Sequence, residues 1–177
     1  MRVIGGEFRS RRLKSIPGDS VRPTPDRLRE SLFSILMPYI DDAIFVDAYA
    51  GTGAIGIEAI SRGAREAIFI EKNHAAADVL RGNLESLGIA ARGRLILGSA
   101  HLYIAKQNAD IVFIDPPYPQ TEEYDLVLEI LGAAPPRLVI AQHSKKHQLA
   151  AQYGQLNRYR VLQQSDNALS FFRPIES

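Results

Sequence analysis

From residue 44 onward the chain alternates short β-rich apolar runs with helical stretches, and few architectures accept that rhythm. The runs Ile44–Ala48, Ala67–Glu71, Arg94–Leu97, Ile111–Asp115 and Leu138–Gln142 are the expected strands. Ala54–Ser61, His74–Leu87, Ala100–Gln107 and Glu122–Leu131 carry the helical spacing between them. Strands separated by helices of this length pair in parallel, with helices covering both faces. The tail breaks the rhythm: Tyr159–Gln163 and Ala168–Arg173 flank Ser165-Asp166-Asn167 and predict an antiparallel hairpin closing the sheet edge.

Ahead of this core, Arg2–Ile4 and Phe8–Leu13 flank Gly5-Gly6 as a short hairpin, and Ser15–Pro23 reads as a loop. Thr24 is the expected N-cap, with Pro25 at the first helical position of an amphipathic helix over 25–37 that Pro38 limits. The 177 residues are expected to form one domain, with 1–40 as an extension and 41–177 as the core. No apolar run reaches the roughly 20 residues of a bilayer span, no signal-peptide pattern opens the chain, and cysteine is absent. Those features fit a cytoplasmic protein that has no membrane partner and is taken as a monomer.

The net charge of +1 conceals an uneven distribution. Residues 1–29 hold eight Lys/Arg against three acids, a local charge of +5 that leaves −4 for the rest. Arg9, Arg11, Arg12, Arg22, Arg27 and Arg29 are the candidate phosphate-backbone contacts; a solvated basic terminus fits the charge equally well.

Chemistry concentrates at two strand ends. Asp47-Ala-Tyr-Ala-Gly51-Thr-Gly53-Ala-Ile-Gly56-Ile-Glu58 leads the first strand into the first core helix. Glycines there let the backbone turn sharply and approach a ligand, beside free N–H groups of the helix start. Glu71 ends the next strand 20 residues after Gly51, where a carboxylate can accept two ribose hydroxyls. The spacing alone suits either a dinucleotide or S-adenosylmethionine. Asp47 favours the second, because a carboxylate repels a pyrophosphate yet can pair with the ammonium of a methionine moiety.

Ile111-Val-Phe-Ile-Asp115-Pro116-Pro117-Tyr118 carries a hydrophobic strand into Asp-Pro-Pro-Tyr. Asp115 and the Pro116 carbonyl can both accept hydrogen bonds from an amino group, and Tyr118 can stack a splayed-out base, a contact worth about 1–3 kcal/mol. His74, His101, His143 and His147 are not spaced as metal ligands and are expected in surface or capping roles.

Together these stretches resemble the class I, amino-group-directed methyltransferases. With Arg2-Val-Ile-Gly-Gly6 and Arg22-Pro-Thr-Pro-Asp-Arg-Leu-Arg-Glu-Ser-Leu-Phe33, the chain looks closer still to the RsmD-type 16S ribosomal RNA (guanine-N2) methyltransferases. The resemblance implies a Rossmann-like, mostly parallel seven-stranded sheet and S-adenosyl-L-methionine as cofactor. It implies a guanine of the position-966 type in 16S rRNA as target, possibly reached within the assembling small ribosomal subunit. Asp115, Pro116 and Tyr118 take the catalytic roles, and Asp47, Gly51, Gly53 and Glu71 bind the cofactor. Where the family often places an acidic residue near the adenine, this chain has Gly98-Ser99-Ala100, so Ser99 is the candidate there. The competing expectations are methylation of adenine N6 in DNA or of a protein glutamine, and a non-catalytic RNA-binding scaffold.

Overall fold

The computed structural model describes residues 1–18 and 23–176. Its centre is one sheet in the order β3-β2-β1-β4-β5-β8-β7-β6. The first five strands, β1 (Ile44–Asp47), β2 (Glu66–Glu71), β3 (Gly93–Leu97), β4 (Ile111–Ile114) and β5 (Leu138–Ser144), run parallel. β8 (Asn167–Pro174) and β7 (Leu156–Gln164) form the expected antiparallel hairpin against β5. The seven expected strands are therefore present, and a two-residue edge strand, β6 (Gln152–Tyr153), adds an eighth.

The apolar runs are nearly continuous because both sheet faces are covered. Successive residues of β1 and β4 point to opposite cores: Val46, Val112 and Ile114 pack on one side, Phe45, Ile111 and Phe113 on the other. The first side is roofed by α4 (Ala100–Tyr103) and α5 (Glu122–Ala133); the second by α1 (Asp26–Ile40), α2 (Ala54–Ser61) and α3 (His74–Ser86). The expected helix over 100–107 is only four α-helical residues, continued by a 3-10 turn at Ile104–Lys106.

Two proline assignments shift. The N-cap of α1 falls on Pro25, one residue later than expected, and Thr24 instead donates its hydroxyl to Gln142 Oε1 at 3.2 Å. Pro38 does not end α1. It forfeits the hydrogen bond to the Ser34 carbonyl, but burial of Ile40 along the stripe of Leu32, Phe33 and Leu36 holds the last turn. A fully buried side chain of that size contributes about 1.5–3 kcal/mol.

The N-terminal hairpin is reduced to a single bridge, Arg2 to Arg12, with Val3 N–H donating to Arg11 O and Ser10 N–H to Val3 O. The segment is nevertheless fixed. Ile4 and Gly5 donate their N–H groups to the two Glu58 oxygens at 2.8 and 2.9 Å, Phe8 N–H donates to Ser61 Oγ, and Lys14 N–H donates to Asn83 Oδ1. Among the described residues no helix is long and apolar enough to cross a membrane.

Candidate active site

The strand order reverses between β1 and β4, so the crevice of this α/β sheet opens above their carboxyl ends. Asp47 is the last residue of β1 and pairs with Phe113; Asp115 follows the last residue of β4; Glu71 is the last residue of β2. Three carboxylates expected from their spacing thus gather at one mouth.

The glycines of the turn after β1 and of the first turn of α2 do three separate things. Gly51 has φ +56° and faces open space, so a Cβ there would intrude on whatever occupies the cleft. Gly53 has φ +89° at the start of α2, and a Cβ would come within 2.0 Å of Leu80. Gly56 is needed for packing: its Cβ would meet the Phe69 ring at 2.3 Å.

Glu71 is half-buried, accepting Gly51 N–H at 3.0 Å on Oε1 and Asn73 N–H at 3.2 Å on Oε2. Those bonds fix the carboxylate beside the glycine turn. Asp47 departs from expectation. Only 1% exposed, it accepts Gly56 N–H on Oδ2 at 3.0 Å, so it lies beneath the turn and does not stand free as an ammonium partner. Burial is the main reason its carboxyl is lifted to about 7; the Gly56 bond opposes this, and the fields of Asp115 and Glu71 add to it. Asp115 is also raised to about 7, by burial of its carboxyl, although part of the residue still reaches solvent.

Pro116 is buried, and among the described residues nothing donates to its carbonyl. Tyr118, two residues further along the chain, is 94% exposed. Ser99, half-buried at the N-cap of α4, stands past the end of β3 and makes no side-chain cap bond, so its hydroxyl is uncommitted to the helix.

Other groups at the mouth were not foreseen. Tyr49 donates its hydroxyl to Glu123 Oε2 at 2.8 Å, and Lys72 Nζ donates to Gln120 Oε1 at 3.2 Å, tying the glycine turn and the end of β2 to the segment after Tyr118. Tyr124 donates to the Gln142 carbonyl at 2.6 Å. Burial and then the Asp115 field push its phenol upward.

The arginine candidates divide. Arg9, Arg12 and Arg27 are exposed, and Arg11 is exposed while donating to the Ser86 carbonyl. Arg22 lies outside the described residues. Arg29 is a correction: at 0% exposure it donates to Asp26 Oδ1 and Arg2 O and lies 3.9 Å from Glu58 Oε1, so no phosphate reaches it. Glu58, also 0% exposed, was missed; an acid within the otherwise buried apolar helix α2 is the signal that it must be partnered. His143 is a second correction. It is buried in β5, with Nε2 2.8 Å from Ser170 Oγ and Nδ1 2.8 Å from Ser144 O. Among the described residues no acid, histidine or cysteine group could hold a metal.

A family model described as "Conserved hypothetical protein 95" matches residues 1–173. YlbH of Bacillus subtilis is 31% identical over 170 residues, covering 88% of this chain and 89% of YlbH. "Ribosomal RNA small subunit methyltransferase D" of Escherichia coli is 42% identical over 120 residues; the match takes in 67% of this chain but only 60% of that relative. The solved structure of Escherichia coli yhhF superposes with a TM-score of 0.86 at 29% identity, over 100% of this chain and 99% of the other.

Proposed function

The chain belongs to the family described as Conserved hypothetical protein 95, and from that membership and its site we propose that it is an S-adenosylmethionine-dependent methyltransferase acting on guanine N2 of small-subunit ribosomal RNA. The observation that carries the reading is the Asp-Pro-Pro-Tyr turn at the end of β4, with a desolvated Asp115 carboxyl, a Pro116 carbonyl that accepts no hydrogen bond among the described residues, and an exposed Tyr118 ring.

The residues fit the cofactor. Three carboxylates meet at this mouth, and burial makes the charged form of Asp47 and Asp115 costly, so a cation that relieves the charge is favoured over a pyrophosphate; S-adenosylmethionine is cationic at both sulfur and amine. Gly51 leaves the space, and Glu71 is held where it can take ribose hydroxyls. Asp47 acts through its field and through the Gly56 bond that fixes the turn. Ser99 is positioned to contribute a hydroxyl near the base of the cofactor. When bound, S-adenosylmethionine supplies a methyl group already activated on a sulfonium sulfur, so the protein's task is alignment.

Asp115 and Pro116 O accept the two N–H bonds of the guanine amino group and so turn its lone pair towards the methyl donor. Tyr118 stacks the extruded base and restricts its rotation. Guanine N2 is a poor nucleophile because its lone pair is delocalised into the ring. The acceptors oppose that delocalisation as positive charge grows on nitrogen. The amine then sheds one proton, and a carboxyl titrating near 7 is suited to take it. Arg9, Arg11, Arg12 and Arg27 supply the exposed cations for the RNA backbone.

Calorimetry with S-adenosylmethionine, followed by nucleoside mass spectrometry of small-subunit rRNA incubated with the enzyme, tests the reading. N2-methylguanosine is the expected product. Cofactor binding without any methylated guanosine would overturn the substrate assignment, and N6-methyladenosine would transfer it to adenine.

A further inference from the structure

At the far end of α1 three arginines converge on aromatic rings. The guanidinium carbon of Arg137 lies 5.0 Å from the Tyr39 ring centroid, that of Arg173 4.4 Å from Tyr159, and that of Arg160 6.0 Å from Phe171. The Tyr159 and Phe171 rings are 6.4 Å apart. Tyr39 and Tyr159 both pack against the core cluster that contains Phe171, and the Tyr39 hydroxyl adds to the burial that pushes the Tyr159 phenol upward.

The backbone is built for this convergence. The β7–β8 register slips between Arg158 and Arg160, a bulge in which strict alternation is suspended. Tyr159 and Arg160 consequently both meet Phe171, while Arg173 follows two residues later on the same face of β8.

All three arginines are exposed, and among the described residues none has a carboxylate within ion-pair distance or donates a side-chain hydrogen bond to protein. A guanidinium stacked on a ring is pre-oriented, with its N–H groups still open to bidentate acceptors.

The patch is also remote from the catalytic mouth. Thr24, just before α1, bonds Gln142 at the carboxyl end of β5, whereas Tyr39 sits in the last turn of the helix and Arg137 precedes β5. Fifteen residues of α-helix separate the two ends by about 22 Å at 1.5 Å per residue. Nucleotides flanking a base stacked on Tyr118 do not extend to it within one or two steps.

We propose that Arg137, Arg160 and Arg173, on the platform of Tyr39, Tyr159 and Phe171, grip the phosphate backbone of an RNA segment distant from the target base. The enzyme thereby recognises folded small-subunit RNA and not merely the strand around its target. This rests on the RNA-methyltransferase reading, with the arginine patch as a contact separate from the N-terminal arm.

The test compares wild type with Arg137→Gln/Arg160→Gln/Arg173→Gln on two probes. One is protein-free, full-length small-subunit rRNA; the other is a stem-loop of about 20 nucleotides carrying the unmethylated target guanine. On the full RNA, affinity should fall at least tenfold. The slope of log affinity against log salt should flatten by about 2–3, since each phosphate contact contributes about 0.7–0.9. On the stem-loop, kcat and KM should be unchanged, as should calorimetric cofactor affinity and the melting temperature. If the triple variant unfolds, Arg160→Gln alone should reproduce about one third of the slope change.

Equal losses on both probes, or no loss on the full RNA, would overturn the proposal. Patch-dependent binding of the full RNA without any methylation would instead overturn the functional reading and leave the patch standing.

Discussion

Replacing Asp47 by Asn should make the protein more stable, and only above a defined pH. Asp47 is 1% exposed and its carboxyl is raised from 3.8 to about 7, chiefly by burial. Below pH 3.8 both native and unfolded chains hold the proton. Between 3.8 and about 7 the unfolded chain has released it while the native chain retains it, so stability falls as pH rises; above about 7 the penalty is complete. A shift of about three units at about 1.4 kcal/mol each sets a ceiling near 4 kcal/mol, and relaxation around the new charge should bring the measured value to about 2–4 kcal/mol. Asn is nearly isosteric, can still accept the Gly56 N–H, and does not ionise. Urea unfolding from pH 4 to pH 8 should therefore show an Asn advantage near zero at pH 4 that grows to this ceiling by pH 8. An advantage independent of pH, or one that shrinks as pH rises, would refute the reasoning. On the proposed reading the cationic cofactor relieves this charge through its field, so S-adenosylmethionine should stabilise the wild type more than the variant at pH 8.

Asp115→Asn should leave calorimetric cofactor affinity nearly intact and remove methylation, because the amide presents one acceptor and cannot hold the proton; wild-type kcat should rise through pH about 7 as Asp115 ionises. Glu71→Ala should weaken cofactor binding by about 1.5–3 kcal/mol per charge-assisted bond lost, read by calorimetry, and an unchanged dissociation constant would reduce Glu71 to a brace for Gly51. Tyr118→Ala should raise KM for RNA while Tyr118→Phe retains most activity, since an exposed stacking ring does not need its hydroxyl; equal damage from both would give the hydroxyl a role. Arg29→Met should lower stability by about 3 kcal/mol in urea titrations, leaving Glu58 with only Arg62 as its charged partner, and should leave the salt slope of RNA binding unchanged.

The strand and helix order is legible because each element repeats one period. Glu71 and Asp115 are legible because parallel strands collect their ends at one edge, so linear spacing becomes spatial convergence. Where a side chain is committed by a partner distant in sequence, that reading fails. Arg29 sits in a basic run, yet its place on α1 turns it to a carboxylate 29 residues on. Pro38 reads as a stop because the sequence does not show that Ile40 has a core to enter. His143 looks like a surface histidine until β8 brings Ser170 across from the neighbouring strand pair. The bulge in β7 that sets Tyr159 and Arg160 together leaves no mark that alternation could detect.

Helix α2 joins the two halves of the proposed chemistry. Its start is set by the Gly51–Gly53 turn and by Gly56 N–H donating to Asp47, so the cofactor side holds its amino end. Towards its other end, Glu58 accepts Ile4 and Gly5 N–H, and Ser61 accepts Phe8 N–H while donating to the Gly5 carbonyl at 2.6 Å. The basic arm is therefore hydrogen-bonded to the helix that frames the cofactor turn, about 12 Å of rigid structure for eight residues. The backbone that carries exposed Arg9 and Arg12 is already fixed, so on the proposed reading less conformational freedom is lost on binding RNA than a free basic tail would lose. A buried carboxylate at position 58 costs desolvation, but two backbone N–H groups, Arg62 at 2.8 Å and Arg29 at 3.9 Å offset it. The buried acid thus fixes where the arm's positive charge is presented relative to the mouth.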